Sequence, residues 1–539
     1  MTDDLLARAK DWLSQDPDPA TRDELQALID ADDTDALQDR FSERLQFGTA
    51  GLRGALGAGP NRMNRVIVAQ AASGLAAYLL AHGDEPSVVV GYDARHNSDV
   101  FARDTAEIME GAGVKAFLLP THLPTPVLAF AIRHLGCSAG VMVTASHNPP
   151  EDNGYKVYLE DSSQIVPPAD GDISDAIDAV GRVDEMPRSE DYETLGPEVA
   201  EAYVEAVVAL PGDGPREVVA VYTPMHGVGR DTLVEAVSRA GFPPLHVVRE
   251  QGDPDPDFPT VAFPNPEEPG AMDLALKLSS SVGADIIVAN DPDADRCAVG
   301  VRDGESYRML SGDQVGALLA DFLLRRGIEG TYGSSIVSSD LLGRQAAAFG
   351  QPWEQTLTGF KWLGKIPTLV FGYEEALGYS VAPDIARDKD GVSAIITVLE
   401  MAAQLKADGR TLIDRLDDIY REHGLHATSQ LSVRVDDLSI ITRAMDALRT
   451  SAPSVLGGLD VTSVDDLADG YHGLPSTDGI RLGLDGGARI ICRPSGTEPK
   501  LKCYIEVVVP VDDTIEAART SAEATIDGIK TDLAQALGI

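Results

Sequence analysis

One pattern constrains this chain more than any other: short aliphatic runs alternate with longer stretches of helical periodicity, and several runs end in a polar cluster. PSVVVGYD (86–93), VKAFLLP (114–120) and SAGVMVTAS (138–146) read as buried strands. NRVIVAQAASGLAAYLLAHG (64–83) and SDVFARDTAEIMEGAG (98–113) read as the helices between them. The pattern returns twice. REVVAVYT, LHVVRE and ADIIVAND form a second unit; YGSSIVSS, TLVFGYEE and the helix VSAIITVLEMAAQLKADG form a third. Such alternation predicts layered α/β domains with mixed, mainly parallel sheets, because a parallel pair needs a helical crossover. The end of the chain differs. GIRLGLDGGARIICRPSGTEPKLKCYIEVVV (479–509) reads as consecutive strands, followed by a helix from about Thr514 to Leu537, which predicts a C-terminal α+β domain.

The boundaries follow from these shifts. A helical N-terminal arm covers 1–45, with Leu5, Leu6 and Trp12 lining one helix and Leu25, Leu28, Leu37, Phe41 and Leu45 a second. Domain 1 is expected over 46–209, domain 2 over 210–308, domain 3 over 309–426 and domain 4 over 427–539.

Charge excludes several functions. Asp and Glu number 86 against 44 Lys and Arg, a net charge of -42. A polyanionic surface repels nucleic acid and anionic membranes, so neither is an expected partner. The acids are dispersed among aliphatic runs, which argues for a folded chain and resembles salt-adapted proteins. No apolar run is long enough to cross a bilayer, and MTDDLLARAKDWLSQD lacks a basic stretch followed by an apolar one. Four cysteines, Cys137, Cys297, Cys492 and Cys503, are too scattered for a disulfide framework. The expectation is a soluble, reduced, cytoplasmic protein, a monomer or weak dimer.

Four loops carry candidate chemistry, three of them at strand ends, where open α/β sheets bind ligands. Thr144-Ala145-Ser146-His147-Asn148-Pro149 offers a nucleophilic hydroxyl beside a histidine; a polar turn is the competing reading. Asp291, Asp293 and Asp295 alternate on a tight loop and converge oxygen ligands suited to a hard cation. An EF-hand is excluded because its required Gly and Glu positions hold Arg296 and Arg302. Arg493-Pro494-Ser495-Gly496-Thr497-Glu498-Pro499-Lys500 combines a guanidinium, hydroxyls and a flexible backbone, which suits a phosphate dianion or a hairpin turn. Gly372-Tyr373-Glu374-Glu375-Ala376-Leu377-Gly378 places carboxylates where sugar hydroxyls could donate to them. Lys156, Lys361, Lys389, Lys500 and Lys502 fall in or near these loops, as a positive pocket in a strongly negative protein requires.

In this order the loops resemble those of the α-D-phosphohexomutase superfamily. TASHNP is similar to its phosphoserine loop, DPDADR to its metal loop, GYEEALGYS to its sugar-recognition loop and RPSGTEPK to its phosphate-binding loop. FGTAGLRG (47–54), TGFKW (358–362) and DIARDKDG (384–391) also look like family segments, and DPDFPTVAFPNPEEP (255–269) looks closest to a phosphoglucomutase-2-type, phosphopentomutase-like branch.

The resemblance implies four domains around a central cleft and a Mg²⁺-dependent intramolecular phosphotransferase. Such an enzyme interconverts hexose 1- and 6-phosphates, with a sugar bisphosphate such as glucose 1,6-bisphosphate as activator. Ser146 would carry the phosphoryl group, and Asp291, Asp293 and Asp295 would hold Mg²⁺ together with a Ser146 phosphate oxygen. Arg53, His147, Lys156, Arg296 and Lys389 would assist proton transfer and charge stabilisation. Thr358, Gly359, Lys361, Glu374, Glu375, Arg493, Ser495, Gly496 and Thr497 would bind the sugar phosphate. Many relatives read G-E-x-S in the sugar loop; here Ala376 occupies the serine position. Phosphopentomutase and phosphomannomutase activities are therefore the alternatives within the family, and a non-catalytic sugar-phosphate-binding relative is the alternative outside enzymes. A nucleotide P-loop is absent, which argues against a kinase.

Overall fold

The computed structural model describes residues 3–48, 51–435, 437–494 and 500–538. They divide into two compact units. The first comprises Met1–Leu310 together with Ala376–Asp408, and the second Ser311–Glu375 together with Gly409–Ile539.

The first unit holds two layered α/β sheets. Its larger sheet is mixed: strand Ser87–Tyr92 pairs in parallel with Lys115–Leu118 and with Ala139–Val143, while Asp152–Leu159 runs antiparallel to Ala139–Val143. Apolar side chains on the helices Arg65–His82 and Ser98–Ala112 bury against this sheet, including Val66, Leu75, Phe101 and Met109. The second sheet pairs Ala220–Thr223 in parallel with Ile286–Ala289 and with the short strand His246–Val247. Ala298–Asp303 then returns antiparallel to Ile286–Ala289, and the intervening turn carries the aspartate triplet. The helix Gly391–Ala407 packs with this unit; Asp390 caps it by accepting from the Val392 and Ser393 amides.

The arm contains three helices, Asp3–Gln15, Pro19–Asp30 and Thr34–Phe41, where the apolar spacing suggests two. The break falls at Asp32, whose backbone is left-handed, and at Asp33, whose carboxylate accepts from the Ala36 amide and starts a new helix. Local Asx capping outweighs an apolar stripe that continues across the junction.

In the second unit, Thr331–Ser335 pairs in parallel with Trp353–Thr356 and Leu369–Glu374. A wholly antiparallel sheet, built on Leu425–Arg434, Lys500–Val509, Arg489–Pro494, Ile480–Leu484 and Leu459–Asp466, follows. The C-terminal helix Ile515–Leu537 covers it through Ile526, Ile529 and Leu533. The architecture is thus the mixed α/β arrangement with an antiparallel C-terminal domain that the patterning predicts.

Candidate active site

In the first unit, three loops meet around Ser146. The serine follows strand Ala139–Val143 and sits in the left-handed region at φ 52°, with its amide donating to Thr144 Oγ1 at 2.9 Å. A non-glycine residue there carries strain that its surroundings must hold, a common mark of a functional turn. Ser146 is buried, and its Oγ donates to Asp291 Oδ2 at 2.9 Å. His147 Nδ1 lies 3.2 Å from the same Oγ. The serine and the aspartate triplet, 145 residues apart, therefore share one site.

The triplet is completely buried, with one carboxylate oxygen from each residue lying within 4.8 Å of the others. Its outer oxygens are occupied. Asp291 Oδ1 accepts the Arg296 amide at 3.0 Å. Asp293 Oδ2 accepts Thr125 Oγ1 at 2.7 Å and Lys156 Nζ at 2.8 Å. Asp295 Oδ2 accepts Lys156 Nζ at 2.9 Å and faces Lys389 Nζ at 3.2 Å. Asp293 Oδ1 and Asp295 Oδ1 are buried without a hydrogen-bond partner. Buried carboxylate oxygens with no donor are costly, and a hard divalent cation is the partner their chemistry suits. The residues fit a metal of the Mg²⁺ type.

Electrostatics agree. Burial, reinforced by Asp293 and Asp295, pushes the Asp291 carboxyl well above its usual range. Burial would also raise Asp295, but Lys156, Lys389 and Arg296 outweigh it and hold that carboxyl low. Burial opposes the charge on Lys156, yet Asp293 and Asp295 more than restore it. Burial, with Arg296 and Arg53 nearby, pushes His147 well below its ordinary value, so the imidazole is neutral near pH 7.

Backbone placement explains the convergence. Strand Leu52–Ala55 pairs antiparallel with Asp152–Leu159, opposing Arg53 to Gly154, and Arg53 Nη1 reaches Asn148 Oδ1 at 3.2 Å. Gly51 permits this pairing: it has φ 72°, and a Cβ there would lie 1.8 Å from the Tyr155 carbonyl oxygen. Gly391 meets the metal loop equally closely, since an added Cβ would sit 2.2 Å from the Arg296 carbonyl oxygen.

In the second unit, Glu374 Oε1 accepts the Gly359 amide at 2.7 Å, and Arg493 Nη1 donates to Thr358 Oγ1 at 2.6 Å. These bonds tie the 358–361 segment, which carries Lys361, to the end of strand Leu369–Glu374 and to Arg493. Glu375 Oε2 accepts from Ser335 Oγ at 3.3 Å and Ser338 Oγ at 3.2 Å. Ser495, Gly496 and Thr497 lie outside the described residues.

Sequence reasoning overlooked three residues at the first cluster. Arg95 Nη1 and Nη2 donate to the carbonyls of Ser146, Asn148, Pro149 and Asp152, gripping the serine loop from within. Thr125 ties Asp293 through both its hydroxyl and its amide. Asp388 accepts Tyr158 OH at 2.8 Å and Gln164 Nε2 at 2.6 Å, with the Lys389 amide on its other oxygen at 2.8 Å. Arg95 had a usable signal, because Asp93-Ala94-Arg95 follows a readable strand. The other two are set by tertiary packing.

Comparison with known proteins decides the family. Residues 44–183, 201–304 and 311–423 match phosphoglucomutase/phosphomannomutase alpha/beta/alpha domains I, II and III, and residues 431–523 match the C-terminal domain of the same family. The chain belongs to the phosphoglucomutase/phosphomannomutase family. A Haemophilus influenzae protein named probable phosphomannomutase is 50% identical over 452 residues, covering 82% of this chain and 93% of its own. A Schizosaccharomyces pombe protein named probable phosphoribomutase is 36% identical over 553 residues, covering 92% of both chains. A Thermus thermophilus structure assigned as a phosphomannomutase superposes with a TM-score of 0.72 at 28% identity, covering 91% of this chain and 99% of that one. This member of the phosphoglucomutase/phosphomannomutase family is an enzyme, an isomerase working by phosphoryl transfer. None of its described helices is long and apolar enough to cross a membrane.

Proposed function

We propose that this enzyme interconverts hexose 1-phosphate and hexose 6-phosphate through a phosphoserine at Ser146 and a sugar bisphosphate. The observation that carries the reading is the 2.9 Å contact between Ser146 Oγ and Asp291, inside a buried cluster holding Arg53, Lys156, Arg296 and Lys389. A sugar hydroxyl oxygen attacks the phosphorus carried by Ser146, the phosphorus–Oγ bond breaks, and the hydroxyl proton leaves to a nearby base. The resulting bisphosphate turns end for end. Ser146 Oγ then attacks the other phosphorus, the bond from that phosphorus to the sugar oxygen breaks, and the base returns its proton to the freed oxygen, so the enzyme regains its starting state with the phosphate relocated.

Asp291, Asp293 and Asp295 would hold Mg²⁺, which when bound neutralises charge on the transferring phosphoryl oxygens. Lys156 and Lys389 keep Asp295 ionised and add positive charge beside it. Arg53 and Arg296 offer donors to the equatorial phosphoryl oxygens, where phosphoryl transfer is most demanding. His147, neutral and next to Oγ, is placed to exchange a proton there. Glu374, Glu375 and Lys361 would bind the sugar. Arg493, Thr358 and Gly359, with Ser495, Gly496 and Thr497, would hold the phosphate that is not reacting. In this reading the four domains span 46–209, 210–308, 309–426 and 427–539 after the arm, and a sugar bisphosphate such as glucose 1,6-bisphosphate primes the serine. The acidic excess would suit a salt-rich interior, with activity persisting in molar KCl.

Replacing Ser146 with Ala tests the mechanism: turnover should vanish, and mass spectrometry should detect no phosphoenzyme after exposure to the bisphosphate. Unchanged turnover rejects it. Relatives named for mannose and ribose phosphates support a second reading as a phosphomannomutase or phosphopentomutase. Comparing kcat/KM for glucose, mannose and ribose 1-phosphates separates the two.

A further inference from the structure

Each aspartate of the buried triplet has one carboxylate oxygen committed to a donor of the surrounding fold. Asp291 Oδ1 accepts the Arg296 amide, Asp293 Oδ2 accepts Thr125 Oγ1 and Lys156 Nζ, and Asp295 Oδ2 accepts Lys156 Nζ. Asp291 Oδ2 faces Ser146 Oγ, while Asp293 Oδ1 and Asp295 Oδ1 are buried without a hydrogen-bond partner. This division bears on which cation the triplet suits. Ca²⁺ takes roughly six to eight oxygens in flexible geometry and accepts both oxygens of one carboxylate. Mg²⁺ is smaller, demands a near-ideal octahedron, and is served by single carboxylate oxygens and water.

The two donors on Asp293 Oδ2 are not equivalent. Lys156 is shared, because its ammonium lies 2.8 Å from Asp293 Oδ2 and 2.9 Å from Asp295 Oδ2 at the end of a flexible stem. Thr125 meets Asp293 twice: its hydroxyl donates to Oδ2 at 2.7 Å, and its amide donates to the Asp293 carbonyl at 2.9 Å. It is completely buried and opens the helix Thr125–Leu135, between Pro124 and Pro126, whose rings fix the backbone on either side. Its branched side chain is stiff about χ1. A carboxylate pinned both at its backbone and at one oxygen cannot turn two oxygens toward one ion without breaking a charge-assisted hydrogen bond.

We propose that Thr125 sets the cation selectivity of the aspartate triplet, holding Asp293 to one available oxygen and so favouring Mg²⁺ over Ca²⁺. It acts as a positioning residue through Asp293 and touches neither the sugar nor the phosphoryl group. The hydroxyl is the operative part, since the amide bond to the Asp293 carbonyl fixes the loop but leaves the carboxylate free to rotate. The inference rests on the reading of this enzyme as a metal-dependent sugar-phosphate mutase.

Isothermal titration of the chelator-treated, full-length enzyme with MgCl₂ and with CaCl₂ tests this in the parent, Thr125→Val and Thr125→Ser. Valine keeps the branched shape and removes the hydroxyl, whereas serine keeps the hydroxyl. Thr125→Val should bind Mg²⁺ roughly tenfold more weakly, while its Ca²⁺ affinity stays within about twofold of the parent. Thr125→Ser should restore the parent preference. Equal weakening toward both cations, unchanged Mg²⁺ affinity in the valine variant, or a serine variant that behaves like valine would overturn the proposal. If Thr125→Val does not fold, Thr125→Ala, which also lacks the hydroxyl and is smaller, should show the same shift in preference; no shift overturns it. A parent that binds neither cation overturns this proposal together with the metal in the mutase reading. A parent that binds Mg²⁺ beside a hydroxyl-free variant of unchanged selectivity overturns this proposal alone.

Discussion

Arg95 Nη2 donates to the carbonyl oxygen of Ser146 at 2.6 Å, so the residue proposed to carry the phosphoryl group is held through its own backbone. The same guanidinium takes three more carbonyls of the loop and lies 4.9 Å from the Phe258 ring, which closes its other face. Ser146 can occupy a left-handed conformation because this grip over-determines it. Arg95→Lys supplies one compact charge in place of a fork and should leave two or more carbonyls unmet. Turnover is expected to fall on the order of 100-fold, with a stability loss of about 3 kcal/mol by urea unfolding.

Neutral His147 makes a pH signature. Burial and two arginines depress its folded value below the ordinary 6.5. Its contribution to stability is therefore full above about pH 6.5 and is lost as pH falls toward the folded value, by up to about 1.4 kcal/mol per pH unit. The melting temperature of His147→Gln, followed from pH 7 to pH 5, should decline less steeply than that of the parent enzyme. Parallel curves would contradict the assignment.

Glu506 behaves as an acid stabilised in its charged form. Burial would raise it, but Arg489 and His426 hold it well below its usual 4.5. The stabilisation is present above about pH 4.5 and disappears only as pH drops through the depressed value. Glu506→Gln removes the nearer counter-charge of buried Arg489 and leaves it only Asp340, at 3.2 Å, which should cost about 3 kcal/mol at pH 7. Differential scanning calorimetry at pH 7 and pH 4 checks this, and the difference between variant and parent should shrink in acid.

Asp293→Asn removes a charge from the triplet while keeping its shape and its bond to Thr125. Divalent affinity measured by isothermal titration should fall about 100-fold or more, because a ligand matters at least as much as the groups that orient it. Chelator treatment of the parent enzyme should abolish turnover and added Mg²⁺ restore it. Activity that persists after exhaustive chelation would remove the metal from the proposal.

Much of this site is readable from the chain because its chemistry follows strands with strong apolar signals. Ser146 comes after Ala139–Val143 and Asp291 after Ile286–Ala289, so the apolar pattern alone places each motif at a strand end. The lysine distribution groups Lys156 and Lys389, 233 positions apart by number, in one positive pocket, but nothing local shows that both reach the same oxygen, Asp295 Oδ2. Nor does the sequence show Thr125 reaching Asp293, or Glu506 under the 336–340 loop, since these contacts arise from packing between elements and carry no local period. The arm's extra break was missed for the opposite reason: a local cap at Asp33 overrides the longer apolar pattern.

The first unit is discontinuous, closing only when Ala376–Asp408 rejoins residues up to Leu310. During synthesis, Asp295 thus emerges from the ribosome well before Lys389, the second ammonium that balances it. The nascent chain must carry three clustered acids through translation of the intervening 65 residues, from Ser311 to Glu375, before that half can mature.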